Sequence, residues 1–159
     1  MNIVIANRQR TRPVNARQLR LIITGLFAEL EISEAELGVN LVGAREMTLV
    51  NETFLRHEGS TDVITFDHRE GQPKVIPPAL HGELFICVDE AVQQARRFRT
   101  SWQSEIVRYL VHGVLHLCGH DDHRTGARRK MKREENRLVR RLARKFSLAL
   151  TPGRSKMVA

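Results

Sequence analysis

Cysteine is nearly absent from this chain: Cys87 and Cys118 are the only two in 159 residues, and both sit in apolar runs. That spacing offers no disulfide framework. Five prolines and ten glycines are too few for a collagen-like or low-complexity polymer. No apolar run approaches the roughly 18–20 residues that span a bilayer. The opening residues, Met1 to Asn7, lack the charged start and apolar core of a secretion signal and read as a short strand. Together these absences predict a soluble, cytoplasmic protein with no membrane partner. Aromatics are sparse too, with one Trp, one Tyr and six Phe, so no broad base-stacking platform is evident.

Acidic residues are missing from both ends. Residues 1–20 carry five Arg and no acid, and residues 124–145 carry eleven Lys and Arg against Glu134 and Glu135. The tail adds Arg154 and Lys156, while residues 21–123 hold eight basic and sixteen acidic side chains. The net charge of +8 therefore conceals an acidic centre between two basic ends. Such segregation favours an anionic partner such as nucleic acid.

With 42% apolar residues, the length suits one domain over 1–150 with a short C-terminal tail over 151–159. Strand-like runs fall at 2–6, 38–43, 62–66 and 84–88. Helical spacing covers 15–30, where Leu19, Ile22, Ile23, Leu26, Phe27 and Leu30 recur. It also covers 45–55, 89–99, 100–118 and 125–147, the last with Met131, Leu138, Leu142 and Phe146 on one stripe. Asp89 or its neighbour would cap the third of these helices, and Thr100 with Gln103 would form a capping box for the fourth. Residues 67–81, with Gly71, Pro73, Pro77 and Pro78, read as a loop. The expected fold class is α+β: a small mixed β-sheet packed with about five helices.

Four of the seven histidines fall within twelve residues, at positions 112, 116, 120 and 123. His112 and His116 are four apart on a helix, so they lie about 40° apart in azimuth and about 6 Å apart along the axis. Two imidazoles so placed can ligate one Zn²⁺. Gly119 would end the helix and let His120-Asp121-Asp122-His123 bring back a further ligand. Three protein ligands with an open fourth position would describe a catalytic site that acidifies bound water. Cys118 points away from the pair and reads as a small apolar residue. The protease motif H-E-x-x-H needs Glu directly after the first His, and here that position is Gly113. The general base is left open among Asp62, Glu83 and Glu105.

These residues resemble the YbeY family of bacterial rRNA maturation factors. The family pattern H-G-x-L-H-L-x-G-Y-D-H is matched by His112-Gly-Val-Leu-His116-Leu-Cys-Gly119-His-Asp-Asp-His123. An Asn and an Arg before T-D-V-L-S-F are matched by Asn51, Arg56 and Thr61-Asp62-Val63-Ile64-Thr65-Phe66. A third landmark, G-D-I-x-I before a helix, is matched by Gly82-Glu83-Leu84-Phe85-Ile86. The resemblance implies a zincin-like fold and a single-strand-specific, metal-dependent endoribonuclease. It also implies a role in 3′-end maturation of the small-subunit 16S rRNA and in ribosome quality control. It implies one Zn²⁺ held by three histidines, with Arg56 binding the scissile phosphate. His112 and His116 carry over directly. The family's third histidine lies ten residues after the first, where this chain has Asp122; His123 lies eleven after. A turn absorbs one extra residue readily, so His123 is the expected third ligand and Asp122 the alternative.

The basic segments 8–20 and 124–145 would grip the RNA backbone without reading sequence. By elimination, specificity would then come from a ribosomal protein partner or from rRNA shape. Three other readings compete: a metalloprotease-like zinc hydrolase, a non-catalytic RNA-binding assembly factor with a structural metal, and a metal-free fold.

Overall fold

The computed structural model describes residues 1–73, 75, 76 and 78–150; Pro77 of the expected loop and the expected 151–159 tail lie outside them. In chain order the elements are β1 (Asn2–Asn7), α1 (Ala16–Glu29), β2 (Glu34–Val42) and α2 (Ala44–Val50). A wider π turn (Asn51–Leu55) follows, then β3 (Val63–Asp67), β4 (Ala79–Cys87), α3 (Val88–Phe98), α4 (Trp102–Leu117) and α5 (Thr125–Lys145). The strands form one mixed sheet in the order β1-β2-β4-β3. β1 and β4 run parallel to β2, and β3 runs antiparallel to β4 along the edge. The α+β expectation and the helix count both hold. Among the described residues, no helix is long and apolar enough to cross a membrane.

Alternation along the strands assigns the two faces of the sheet. Leu37, Val39 and Leu41 of β2 and Leu80, Leu84 and Ile86 of β4 join the main core with α1 and α4. Each fully buried side chain of this kind contributes roughly 1.5–3 kcal/mol before chain entropy is charged against it. On the other face Val42, Met47, Val50, Ile64 and Cys87 form a smaller cluster beneath α2. α4 is buried on nearly all sides, as expected for a helix with apolar residues around most of its circumference.

β2 and β4 start earlier than the runs at 38 and 84, at Glu34 and Ala79, so residues 79–81 of the expected loop pair as strand along β2. Three further details differ from the sequence reading. The helix expected over 45–55 loosens into a π turn after Val50 and ends at Arg56, whose φ of 55° is left-handed. Asp89 caps a different helix from its own: its Oδ2 accepts the Ala44 N–H of α2 at 2.6 Å. α4 is capped by Ser101, whose hydroxyl accepts the Ser104 N–H at 3.1 Å, while Thr100 donates to Glu105.

Two glycines fix how α4 carries the histidines. A Cβ on Gly113 would stand 2.6 Å from Leu84 Cδ2 and 3.3 Å from Thr65 Oγ1, so α4 lies close against β3 and β4 at this point. After Leu117 the helix stops at Gly119, with φ 95°. The Gly119 N–H donates to the His116 carbonyl at 2.9 Å and the His120 N–H to the Leu115 carbonyl at 3.0 Å. Those two bonds are the Schellman pattern that a left-handed glycine permits.

Candidate metal centre

His112 and His116 occupy successive turns of the last half of α4, and their Nε2 atoms lie 3.2 Å apart. Asp122, delivered by the turn after Gly119, places Oδ2 3.5 Å from His116 Nε2 and 3.8 Å from His112 Nε2. For metal–ligand bonds of about 2.0–2.1 Å in a tetrahedron, ligand atoms should be separated by about 3.3 Å. The three atoms meet that spacing closely.

The opposite ring nitrogens say which tautomers are present. His112 Nδ1 faces a Glu135 carboxylate oxygen at 3.3 Å, and His116 Nδ1 faces the His120 carbonyl at 3.1 Å. Both partners only accept hydrogen bonds, so each Nδ1 carries the proton and each Nε2 presents a lone pair. Two lone pairs and a carboxylate oxygen then converge on one small space. Such an arrangement is repulsive unless a metal ion or a shared proton sits among them. The donor set therefore fits a divalent metal ion.

Glu135 is the functional residue that sequence reasoning missed. It is buried at 4% exposure on α5 and accepts from Arg108 Nη1 at 3.1 Å besides His112. The His112 hydrogen bond holds its carboxyl below the ordinary carboxylate range, against the opposing effect of burial, with Lys132 and Arg108 adding to the pull. The same hydrogen bond raises His112 above the usual imidazole value. A signal was present in the sequence: Glu135 stands four after Met131 and three before Leu138, on the buried stripe of α5. An acid on an apolar stripe needs a partner.

The structure brings together only some of the expected site residues. His123 was expected as third ligand. Its side chain is 89% exposed and its Nε2 lies 3.9 Å from Asp121, while Asp122 stands beside the histidine pair. The cause is the Schellman turn: it directs the His120 carbonyl onto His116 and leaves the tenth position after His112 facing the pair. Arg56 is exposed, and it does not line the cavity that contains His112 and Asp122. The loop carrying it is tied down by buried Asn51, whose side chain donates to the Gly59 carbonyl at 2.9 Å.

Among the base candidates, Asp62 and Glu105 border the same cavity as His112, whereas Glu83 lies across the sheet, where it accepts from Asn40. Cys118 packs against the core, and burial pushes its thiol up to about 11. Gly113 faces β3 and β4, so a Glu at that position would meet the sheet.

The basic ends differ in character. Arg128, Arg129, Lys130, Arg133, Arg140 and Arg144 are exposed along α5. Arg8, by contrast, is committed to Glu46 and Asn40 and lies 5.9 Å over the Phe85 ring.

Comparison with known proteins gives concordant results. A family model described as Endoribonuclease YbeY matches residues 4–143. The chain is 32% identical over 140 residues to an endoribonuclease YbeY of Geobacter metallireducens, covering 87% of this chain and 93% of that one. It is also 32% identical to the endoribonuclease YbeY of Syntrophotalea carbinolica, covering 91% and 97% respectively. A solution structure of a Thermotoga maritima protein shares the fold, with a TM-score of 0.66 at 23% identity over 90% of both chains.

Proposed function

The chain belongs to the YbeY family of endoribonucleases, and from that premise we propose that it cleaves single-stranded RNA at a metal held by His112, His116 and Asp122. One observation carries this reading: two imidazole nitrogens and a carboxylate oxygen converge at 3.2–3.8 Å, close to the spacing of ligand atoms around one metal ion. The donor set suits Zn²⁺, and two histidines one helical turn apart are the zincin-like element of the fold. His123, one residue further on, is the competing third ligand.

A metal bound there would supply Lewis-acid polarisation of a phosphoryl oxygen and acidification of a water. The chain's own residues set the stage for it. Glu135 and the His120 carbonyl hold the two imidazoles as Nδ1–H tautomers, so both Nε2 lone pairs stay available. Asp62, which lines the same cavity as His112, would take a proton from an attacking water. Arg56, on its tethered loop, would reach the phosphate with its planar fork of donors. The arginines of α5 would hold the backbone without reading sequence, so affinity falls steeply with salt.

The substrate we assign is the 3′ end of small-subunit 16S rRNA, with a ribosomal protein supplying the specificity that a sequence-blind grip lacks. The test is cleavage of single-stranded rRNA by wild type, His116→Ala and Arg56→Ala, with bound metal measured in parallel. His116→Ala should lose both metal and cleavage, and Arg56→Ala should lose cleavage alone. Cleavage at the wild-type rate by both variants would sink the assignment.

A further inference from the structure

Beside His112 lies a cavity of about 560 Å³ between α3, α4, α5 and Asp62. Its wall contains the one buried side-chain polar atom that lacks a hydrogen-bond partner among the described residues, the hydroxyl of Tyr109. Tyr109 is only 5% exposed. Burial and the nearby charges of Asp62 and Glu105 push its phenol well above the ordinary range, so the hydroxyl keeps its proton and can donate. A buried donor without a partner, on a residue of a cavity wall, marks a place where a small shift of the wall lets a ligand atom complete the structure.

The geometry points to a nucleobase-binding subsite that takes one unpaired base of the RNA strand next to the cleaved bond. This inference rests on the endoribonuclease reading and adds where the substrate is held. Phe98, at the end of α3, lines the cavity and is 60% exposed, with the Arg97 guanidinium 5.5 Å from its ring centre, so ring and guanidinium together offer a surface on which a base can stack. Gln94 stands one turn earlier on the same side of α3 and lines the same cavity. Its amide offers both a donor and an acceptor.

Two carboxylates of the polar wall have oxygens to spare. Glu105 uses Oε1 to accept from Thr100 at 2.6 Å, and Asp62 uses Oδ1 to accept from the Val63 N–H at 2.8 Å. Such carboxylates accept well from the exocyclic amino group of a base. Arg128 and Lys132, also on the cavity lining, come from the basic helix α5 and would leave the phosphate outside. A neutral planar ring with apolar faces and a donor edge is the ligand class that satisfies all of these walls. Single-stranded RNA offers such rings already unstacked.

Two small probes test this without requiring cleavage. Adenosine 5′-monophosphate and ribose 5-phosphate share sugar and phosphate, and only the first has a base. Titrated calorimetrically into the metal-loaded full chain, the base should improve affinity roughly 5–150-fold, the range for one stacked base. Phe98→Ala and Tyr109→Phe should each shrink that gap, with bound metal and thermal midpoint close to wild type. On single-stranded RNA, Phe98→Ala should raise KM more than it lowers kcat. Equal affinity of the two probes for wild type would overturn the subsite, as would a gap unchanged in both variants. If wild type failed to cleave RNA, the functional reading would fall while the probe titration still decided the subsite.

Discussion

Replacing Glu135 tests the structure most directly, because its carboxylate is buried and meets the His112 ring. Its Oε2 accepts the hydrogen bond of His112 Nδ1–H at 3.3 Å, and its Oε1 accepts one from Arg108 at 3.1 Å. Glu135→Gln keeps the shape and one acceptor oxygen but removes the charge that makes His112 a better electron donor. Glu135→Ala removes the acceptor as well and frees the ring to turn. Outer-shell partners of this type change metal affinity by roughly 10–100-fold, or about 1.4–2.7 kcal/mol. Gln should fall at the low end of that range and Ala at the high end. Arg108 and Lys132 both reach solvent, so losing their partner costs little: about 1–2 kcal/mol of metal-free stability. In a chain of this length that is roughly 2–8 °C in thermal midpoint. The assay is competition with a chromophoric zinc chelator at pH 7.5, alongside thermal denaturation of the metal-free protein. Affinities within about twofold of wild type for both variants would show that Glu135 only stabilises the fold and does not orient His112.

Three further outcomes are expected. Asp122→Ala should weaken metal binding by more than the roughly 10–100-fold of an outer-shell loss while His123→Ala leaves it unchanged; the reverse result in the same chelator competition would return the third position to His123. Gly113→Ala inserts a methyl 2.6 Å from Leu84 Cδ2 and should cost about 1–3 kcal/mol, read as a lower denaturation midpoint with unchanged m-value, and an unaltered midpoint would mean that α4 is not tightly seated on β4. Lys145 and Arg141 hydrogen-bond Glu29 and hold its carboxyl down at about 2; a depressed carboxylate stabilises above its ordinary value and loses that effect only as pH falls through the lowered one. The drop in thermal midpoint caused by Glu29→Gln should therefore be the same at pH 8 and pH 5.5, and a drop that shrank between them would contradict the pairing.

Those features that repeat at a fixed period were legible in the sequence. Leu19, Ile22, Ile23, Leu26 and Phe27 declare the buried side of α1, and all five are buried. His112 and His116 declare one another by the i, i+4 rule, and the structure sets their rings together. Features that depend on one residue more or less in a turn were not legible in the same way. Whether Asp122 or His123 returns to the histidine pair is decided by the hydrogen bonds of Gly119 and His120, which no count of residues contains. The same holds for α2: its first N–H is capped by Asp89, 45 residues away, across a contact that only the folded sheet creates.

Composition speaks to classes of residues and not to single placements. Sparse aromatics leave no broad stacking platform, and the proposed subsite asks for only one, Phe98, at the cavity that also contains His112. Eleven basic residues near the C-terminus dominated the reading of α5, and Glu135 was counted only as a charge among them. Its place on the stripe of Met131, Leu138 and Leu142 gives it the opposite significance. α5 thus has two sides with separate tasks: an outer one whose arginines meet solvent, and an inner one whose single carboxylate fixes His112. On the proposed reading grip and chemistry would be joined through one helix, since a shift of α5 along its axis moves the Glu135 oxygen away from the His112 ring as it moves the arginines.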